Sequence, residues 1–149
     1  MADEIIVIEA GRVTQVGTQA DIRLRPLTPY VADLAGSNLI AGIASKGTVT
    51  TGTHPIHVAD TGAAGPVLAT IHPRAIAVHR TRPEGSPRNT WKTEITRIEH
   101  YGDRVRLETG APLPVTVEVT PGAVRALDLV EGSPVWVSIK ATEIAVTAT

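Results

Sequence analysis

The 149-residue sequence predicts an all-β fold with short helices, and three observations carry that expectation. First, 13 Gly and 11 Pro divide short Val-rich runs, a spacing of chain breakers that suits strands and turns. Second, apolar and polar residues alternate through the C-terminal half. Val105 and Leu107 alternate with Arg104, Arg106 and Glu108; Val115, Val117 and Val119 alternate with Thr116, Glu118 and Thr120; Val135, Val137 and Ile139 alternate with Trp136, Ser138 and Lys140. Successive side chains of a strand point to opposite faces, so each run reads as a half-buried strand. Third, the apolar content rests on Val, Ile, Leu and Ala, with no Phe and only 2 Trp and 2 Tyr.

In chain order, residues 3–17 read as two strands around a turn at Ala10-Gly11. Thr18 is an N-cap for a short helical stretch that Pro26 must end. Thr28-Pro29 repeats the signal for a helix over 30–35 that closes on Gly36. Residues 1–37 thus form a hairpin-plus-helix arm, too small to bury a core of its own. The arm makes little sense without a sheet to join, so the chain is expected to be a fragment of a longer protein. Residues 38–82 form a first β unit, with strands expected over 39–49, 54–59 and 67–71. In that unit Ile71-His72-Pro73-Arg74-Ala75-Ile76 reads as a strand ending in a tight turn, with one more short strand to His79. The polar stretch 80–85 is a linker. Residues 83–149 form a second unit: the alternating runs, a turn at Tyr101-Gly102-Asp103, and a short helix opened by Thr120-Pro121. Four or five strands with one short helix before the last make an OB-like Greek-key barrel.

Composition removes several function classes. At 42% hydrophobic and 19% charged residues the chain reads as globular rather than disordered. A formal net charge of −1 and 3% aromatic residues supply neither the positive groove nor the stacking platforms of a single-strand nucleic-acid binder. With no cysteine, thiolate metal sites, disulfides and thiol catalysis are excluded. No apolar run is long enough to span a bilayer. His54 and His57 stand three apart in a strand-like run, on opposite faces, and no carboxylate cluster completes a metal site. Ser86 lacks the strand–turn–helix elbow of a hydrolase nucleophile. Trp91 and Trp136 read as packing or interface residues.

Two stretches concentrate hydrogen-bond donors. In Ser86-Pro87-Arg88-Asn89-Thr90-Trp91 a hydroxyl, a guanidinium and a carboxamide lie within four residues, and Lys140-Ala141-Thr142 follows another strand-like run. Such an inventory suits a compact oxyanion, whose oxygens all accept hydrogen bonds. Ser86, Arg88 and Asn89 would supply one side, and Lys140, the Ala141 amide and Thr142 the other. Thr120 stands at a helix start, where unpaired amides favour an anion. Each group also has a plain reading. The Ser-x-Arg-Asn cluster caps a turn, Thr120 caps the helix through its side chain, and Lys140 is a solvated edge-strand charge.

Ser86-Pro87-Arg88-Asn89-Thr90-Trp91 resembles the Ser-Ala-Arg-Asn motif that opens the Mop (molbindin) domain. Val135-Trp136-Val137-Ser138-Ile139-Lys140-Ala141-Thr142-Glu143-Ile144 resembles that domain's closing strand, and the resemblance covers residues 86–147. Residues 3–40 carry a second resemblance, to the final hairpin and helical link of an ABC-transporter ATPase domain. Together they resemble the C-terminal regulatory (TOBE/Mop-like) region of a molybdate ABC-transporter ATP-binding subunit. The resemblance implies molybdate or tungstate as a bound ligand, held across a subunit interface by Ser86, Arg88, Asn89, Thr120, Lys140, Ala141 and Thr142. It implies no covalent cofactor. It further implies a homodimer formed through this region, a membrane permease and the parent's ATPase domain as partners, and a place at the cytoplasmic face of the membrane. Feedback inhibition of uptake is the implied role, and a ligand-free dimerisation module is the alternative. No Gly-x-x-x-x-Gly-Lys-Ser/Thr loop occurs, so these residues are not expected to be an enzyme on their own. Three positions depart from the family pattern: Pro87 lacks a free amide, Thr93 replaces a glycine, and Ala123 has no hydroxyl at the helix start.

Overall fold

The structure is a computed structural model that describes residues 4–18, 21–22, 27, 36–59, 62–85 and 89–148. The expected helix over 30–35 and the residues Ser86 and Arg88 lie outside this set. The arm opens with the antiparallel hairpin β1 (Ile5–Glu9) and β2 (Arg12–Gly17). Its turn needs positive φ at both central residues, supplied by Ala10 at 49° and Gly11 at 77°. Thr18 then caps the next turn. Its Oγ1 accepts from the Asp21 amide at 3.2 Å, and Asp21 Oδ2 accepts from the Thr18 amide at 2.9 Å, a reciprocal capping box. Val7 and Ile22 bury each other in a small cluster separate from the main core, while Ile6, Ile8, Val13 and Val16 remain exposed.

The rest of the described chain builds two five-stranded antiparallel sheets. The first unit gives β3 (Asn38–Ser45), β4 (Thr48–Thr51), β5 (His54–His57), β6 (Gly65–Ile71), a 3-10 turn (Pro73–Ala75) and β7 (Ala77–His79). The second gives β8 (Asn89–Tyr101), β9 (Arg104–Thr109), β10 (Thr116–Val119), helix α1 (Pro121–Ala126), β11 (Pro134–Ile139), a 3-10 turn (Ala141–Glu143) and β12 (Ile144–Ala148). The sheet orders are β12-β6-β3-β4-β5 and β10-β9-β8-β11-β7. Each unit therefore makes four strands of its own sheet and exchanges its last strand with the other. β7 pairs with β11, and β12 pairs with β6.

The registers make the two units equivalent. Asn38, Ile40 and Gly42 face Ile71, Ala69 and Val67, just as Asn89, Trp91 and Thr93 face Ile139, Val137 and Val135. The exchanged strands agree as well, with Ala77 against Ser138 and Ala145 against Thr70. Thr93, where the family resemblance expects glycine, matches Gly42 of the first unit. A Cβ on Gly42 would stand 2.7 Å from Val49 Cγ1 and 2.8 Å from the Thr50 carbonyl, so the backbones approach too closely for a side chain there. At Thr93 there is room, and its hydroxyl donates to the Gly110 and Ala111 carbonyls at 3.1 and 2.8 Å.

The alternation in the second unit is realised as expected: along β9, Val105 and Leu107 are fully buried between exposed arginines. Two expectations need correction. The run 39–49 is not one strand, because Lys46 and Gly47 take φ of 49° and 77° and fold it into the β3–β4 hairpin. That turn carries Val49 back into the core, fully buried. The run 135–144 is not one strand either: β11 ends at Ile139, and β12 pairs with β6 of the other sheet. One core spans both units, joining Val49, Ile56 and Ile71 to Ile95, Leu107 and Val137.

Two buried asparagines clasp the units. Asn38 Oδ1 accepts from the Thr116 amide at 2.7 Å, and its Nδ2 donates to the Thr116 carbonyl at 2.8 Å. Asn89 repeats this on His57, at 2.7 and 2.8 Å. A carboxamide carries one acceptor and two donors, so it can stand in for a strand edge where no strand runs. Beside the second clasp, the His54 ring meets the indole of Trp91 edge to face, with centroids 5.0 Å apart. Burial there pushes the His54 pKa down.

Asn38→Ala and Asn89→Ala should each destabilise the fold by about 1–3 kcal/mol in urea unfolding, two hydrogen bonds being lost at the clasp. Because the folded state disfavours His54 protonation, its contribution is present above the usual histidine pKa and lost as pH falls through it. Thermal melts between about pH 7 and about pH 5 should show a smaller loss of stability for His54→Gln than for the unchanged chain.

Candidate functional site

The equivalence of the units places two short turns at equivalent positions. Ile71-His72-Pro73-Arg74-Ala75-Ile76-Ala77-Val78 in the first matches Ile139-Lys140-Ala141-Thr142-Glu143-Ile144-Ala145-Val146 in the second. Each opens a 3-10 turn between the last home strand and the exchanged strand. In the first, His72 Nδ1 accepts from the Arg74 amide at 3.1 Å and Pro73 pre-sets the turn. In the second, Lys140 holds the capping position without a side-chain cap, which leaves its ammonium to solvent.

Both turns border one cavity of about 500 Å³, lined by His72, Arg74, Ala75, Ala77, Ser138, Lys140 and Glu143. Two of these residues are tied down from outside. Ser138 Oγ lies 2.8 Å from His79 Nε2. Arg74 Nε lies 3.3 Å from Glu118 Oε1, which also receives Arg104 Nε at 3.4 Å. The Glu118 side chain is only 8% exposed, and its charge is matched by the two guanidiniums. Glu143 is the carboxylate left on the cavity wall. A second, smaller cavity of about 190 Å³ brings Glu99 and Glu108 together with one arginine, Arg106. Two carboxylates against one guanidinium make it a poor receptor for an anion.

The residues expected from sequence are placed differently from one another. Lys140 is exposed on the larger cavity, with Ala141 and Thr142 in the adjoining turn. Asn89 pairs in register with Ile139, one residue before Lys140, yet its amide is taken up by the His57 backbone. Thr120 Oγ1 accepts from the Ala123 amide at 3.1 Å, so the hydroxyl caps α1. In sheet order its strand lies three places from β11. Ser86 and Arg88 lie outside the described residues. Trp91 is buried with no partner for its Nε1 among the described residues, and Arg82 lies over the Trp136 ring at 5.6 Å. Among the described residues, no group of three or more His, Asp or Glu is arranged to hold a metal. None of their helices is long and apolar enough to cross a membrane.

Sequence reasoning missed His72 and Arg74. The signal was present in the repeat of Ile-x-x-x-x-Ile-Ala-Val at 71–78 and 139–146, which makes His72 the counterpart of Lys140 and Arg74 that of Thr142.

The TOBE domain family matches residues 85–146. The chain is 31% identical over 156 aligned residues to the molybdenum import ATP-binding protein ModC of Mycobacterium tuberculosis, covering 97% of this chain and 42% of that protein. It is 30% identical to the molybdate/tungstate import ATP-binding protein WtpC of Pyrococcus abyssi, covering 98% of this chain and 43% of that one. The chain thus spans less than half the length of these relatives. A solved structure of the cytoplasmic molybdate-binding protein ModG, with molybdate bound, superposes at a TM-score of 0.65 and 16% identity, over 75% of this chain and 96% of that one. That likeness establishes the fold. It accords with the all-β, OB-like architecture built above. The family is one of binding domains without catalysis, and the sequence relatives are ATP-binding subunits of importers. Residues 85–146 are a TOBE domain, and the chain is similar over nearly its whole length to part of the ATP-binding proteins of molybdenum and molybdate/tungstate import.

Proposed function

We propose that the chain is the regulatory oxyanion-binding region of an ABC importer's ATP-binding subunit, with molybdate or tungstate as its ligand. One observation carries this reading: Lys140 stands on a cavity whose wall also holds His72, Arg74 and Ser138, four donor side chains contributed by both units. A tetrahedral dianion accepts hydrogen bonds on every oxygen, so a wall of donors suits it. The Lys140 ammonium, the Ala141 amide and the Thr142 hydroxyl form the second unit's contribution. Ser86 and Arg88 belong to the segment leading into β8, whose first residue sits in register beside Ile139. Asn89 and Thr120 serve the site by fixing β8 and α1. The relatives' names support the ligand class, and the apolar outer face of β1 and β2 fits a hairpin that packs on a larger ATPase body.

In this reading two copies of the region form a dimer, and intracellular oxyanion favours one arrangement of the attached ATPases, slowing uptake. A ligand shifts such an equilibrium only through a difference in affinity between the two arrangements. The permease is the partner at the inner face of the membrane. A second reading, a dimerisation module without ligand, draws on Glu143, which puts a negative charge on the same wall.

Calorimetry separates the two. Molybdate and tungstate should give saturable heat, with sulfate weaker, and Lys140→Ala should lower affinity about tenfold or more through loss of a charge-assisted bond. Glu143→Gln should tighten binding. Absence of heat for all three anions leaves only the structural module. Thr120→Ala should lower stability by about 1 kcal/mol through loss of the cap and leave the anion affinity within a few-fold.

A further inference from the structure

We infer that the first unit's turn is a binding arm in its own right, with His72 and Arg74 donating to the anion from across the cavity that Lys140 borders. This rests on the oxyanion reading above and adds to it the residues of a unit that the family match does not reach, since that match begins at residue 85.

Three features of the structure carry it. His72 has its tautomer set: Nδ1 accepts from the Arg74 amide at 3.1 Å, so the neutral ring carries its proton on Nε2. The free end of the ring is then a donor without needing a charge. Arg74 is held by its Nε on Glu118 at 3.3 Å, which leaves both terminal nitrogens of the guanidinium unused among the described residues. A planar fork anchored at its root loses little freedom when it closes on an oxyanion, so more of the bond strength appears as affinity. Glu118 comes from β10 of the second unit, and its other arginine, Arg104, comes from β9. The anchor of Arg74 is thus built by one unit and its backbone by the other. An anion held by Arg74 and Lys140 ties together both ends of the strand exchange.

The triad also supplies the control. Arg74 and Arg104 share one oxygen of Glu118, but only Arg74 lines the cavity. Titration calorimetry with molybdate is run on the chain as it stands and on four variants, each checked for folding by its melt without anion. Arg74→Ala should weaken binding about ten- to a hundredfold, the usual cost of a charge-assisted bond. Arg74→Lys, which keeps the charge and loses the fork, should recover only part of this. Arg104→Ala should stay within about threefold, being an exposed partner outside the cavity. Lys140→Ala reports on the underlying reading. Arg74→Ala at unchanged affinity while Lys140→Ala weakens overturns the inference and leaves the oxyanion reading standing. Equal losses in Arg74→Ala and Arg104→Ala overturn it too, because the effect then runs through Glu118. No heat with the unchanged chain overturns both.

Discussion

The exchange of β7 and β12 is the constraint on which the rest of the molecule depends. Without it, β6 and β11 would each end a sheet with an open row of amides and carbonyls, beside side chains as apolar as Ile71 and Val137. An unpaired apolar edge invites association with other chains. Filling each edge with the other unit's last strand removes that hazard and makes completion of either sheet conditional on the other. The single continuous core follows, and so do the two asparagine clasps, which finish the seam where no strand can reach.

The same constraint determines where chemistry can happen. A chain leaving one sheet for another must turn sharply, and it does so twice, at Pro73–Ala75 and Ala141–Glu143. Because the units are equivalent, the two turns meet along one cavity rather than at opposite ends of the molecule. Hydrogen-bond donors gather there from different positions of the repeat: His72 and Lys140 occupy matching places, while Arg74 matches Thr142. The opposing carboxylates are handled unequally. Glu118 is buried between two arginines, whereas Glu143 stays on the wall and sets a limit on how strongly the cavity can attract an anion.

Much of this was legible in the sequence, for reasons that differ by element. Strand alternation at Val105–Leu107 and along β11 is a local consequence of half burial, so it shows in the residues themselves. The Thr18 and Thr120 caps are local as well, each satisfied within three residues. What the sequence hid is non-local. A positive φ at Lys46 is unusual for its type, so the hairpin was buried inside an apolar run. Which strand β12 joins depends on the register of β6, some seventy positions earlier, and no window of sequence reports it. Asn89 looked like a surface donor because composition does not reveal that His57 consumes its amide. Lys140 was found through its neighbours, and His72 and Arg74 were missed because the repeat preserves only Ile, Ile, Ala and Val.

The strand exchange also changes what the covalent chain is for. Between His79 and Asn89 the backbone crosses once from the first unit to the second, and by then β7 has already been delivered to its partner sheet. The linker therefore acts less as a mechanical tie than as a device for local concentration, keeping two interlocked halves in reach of each other while they assemble. Once assembled, separating them requires two strands to be withdrawn and two clasps to open together. Cleavage of that crossing would leave two pieces joined by the strand exchange and the clasps, and their reassembly after unfolding would become second order in protein concentration.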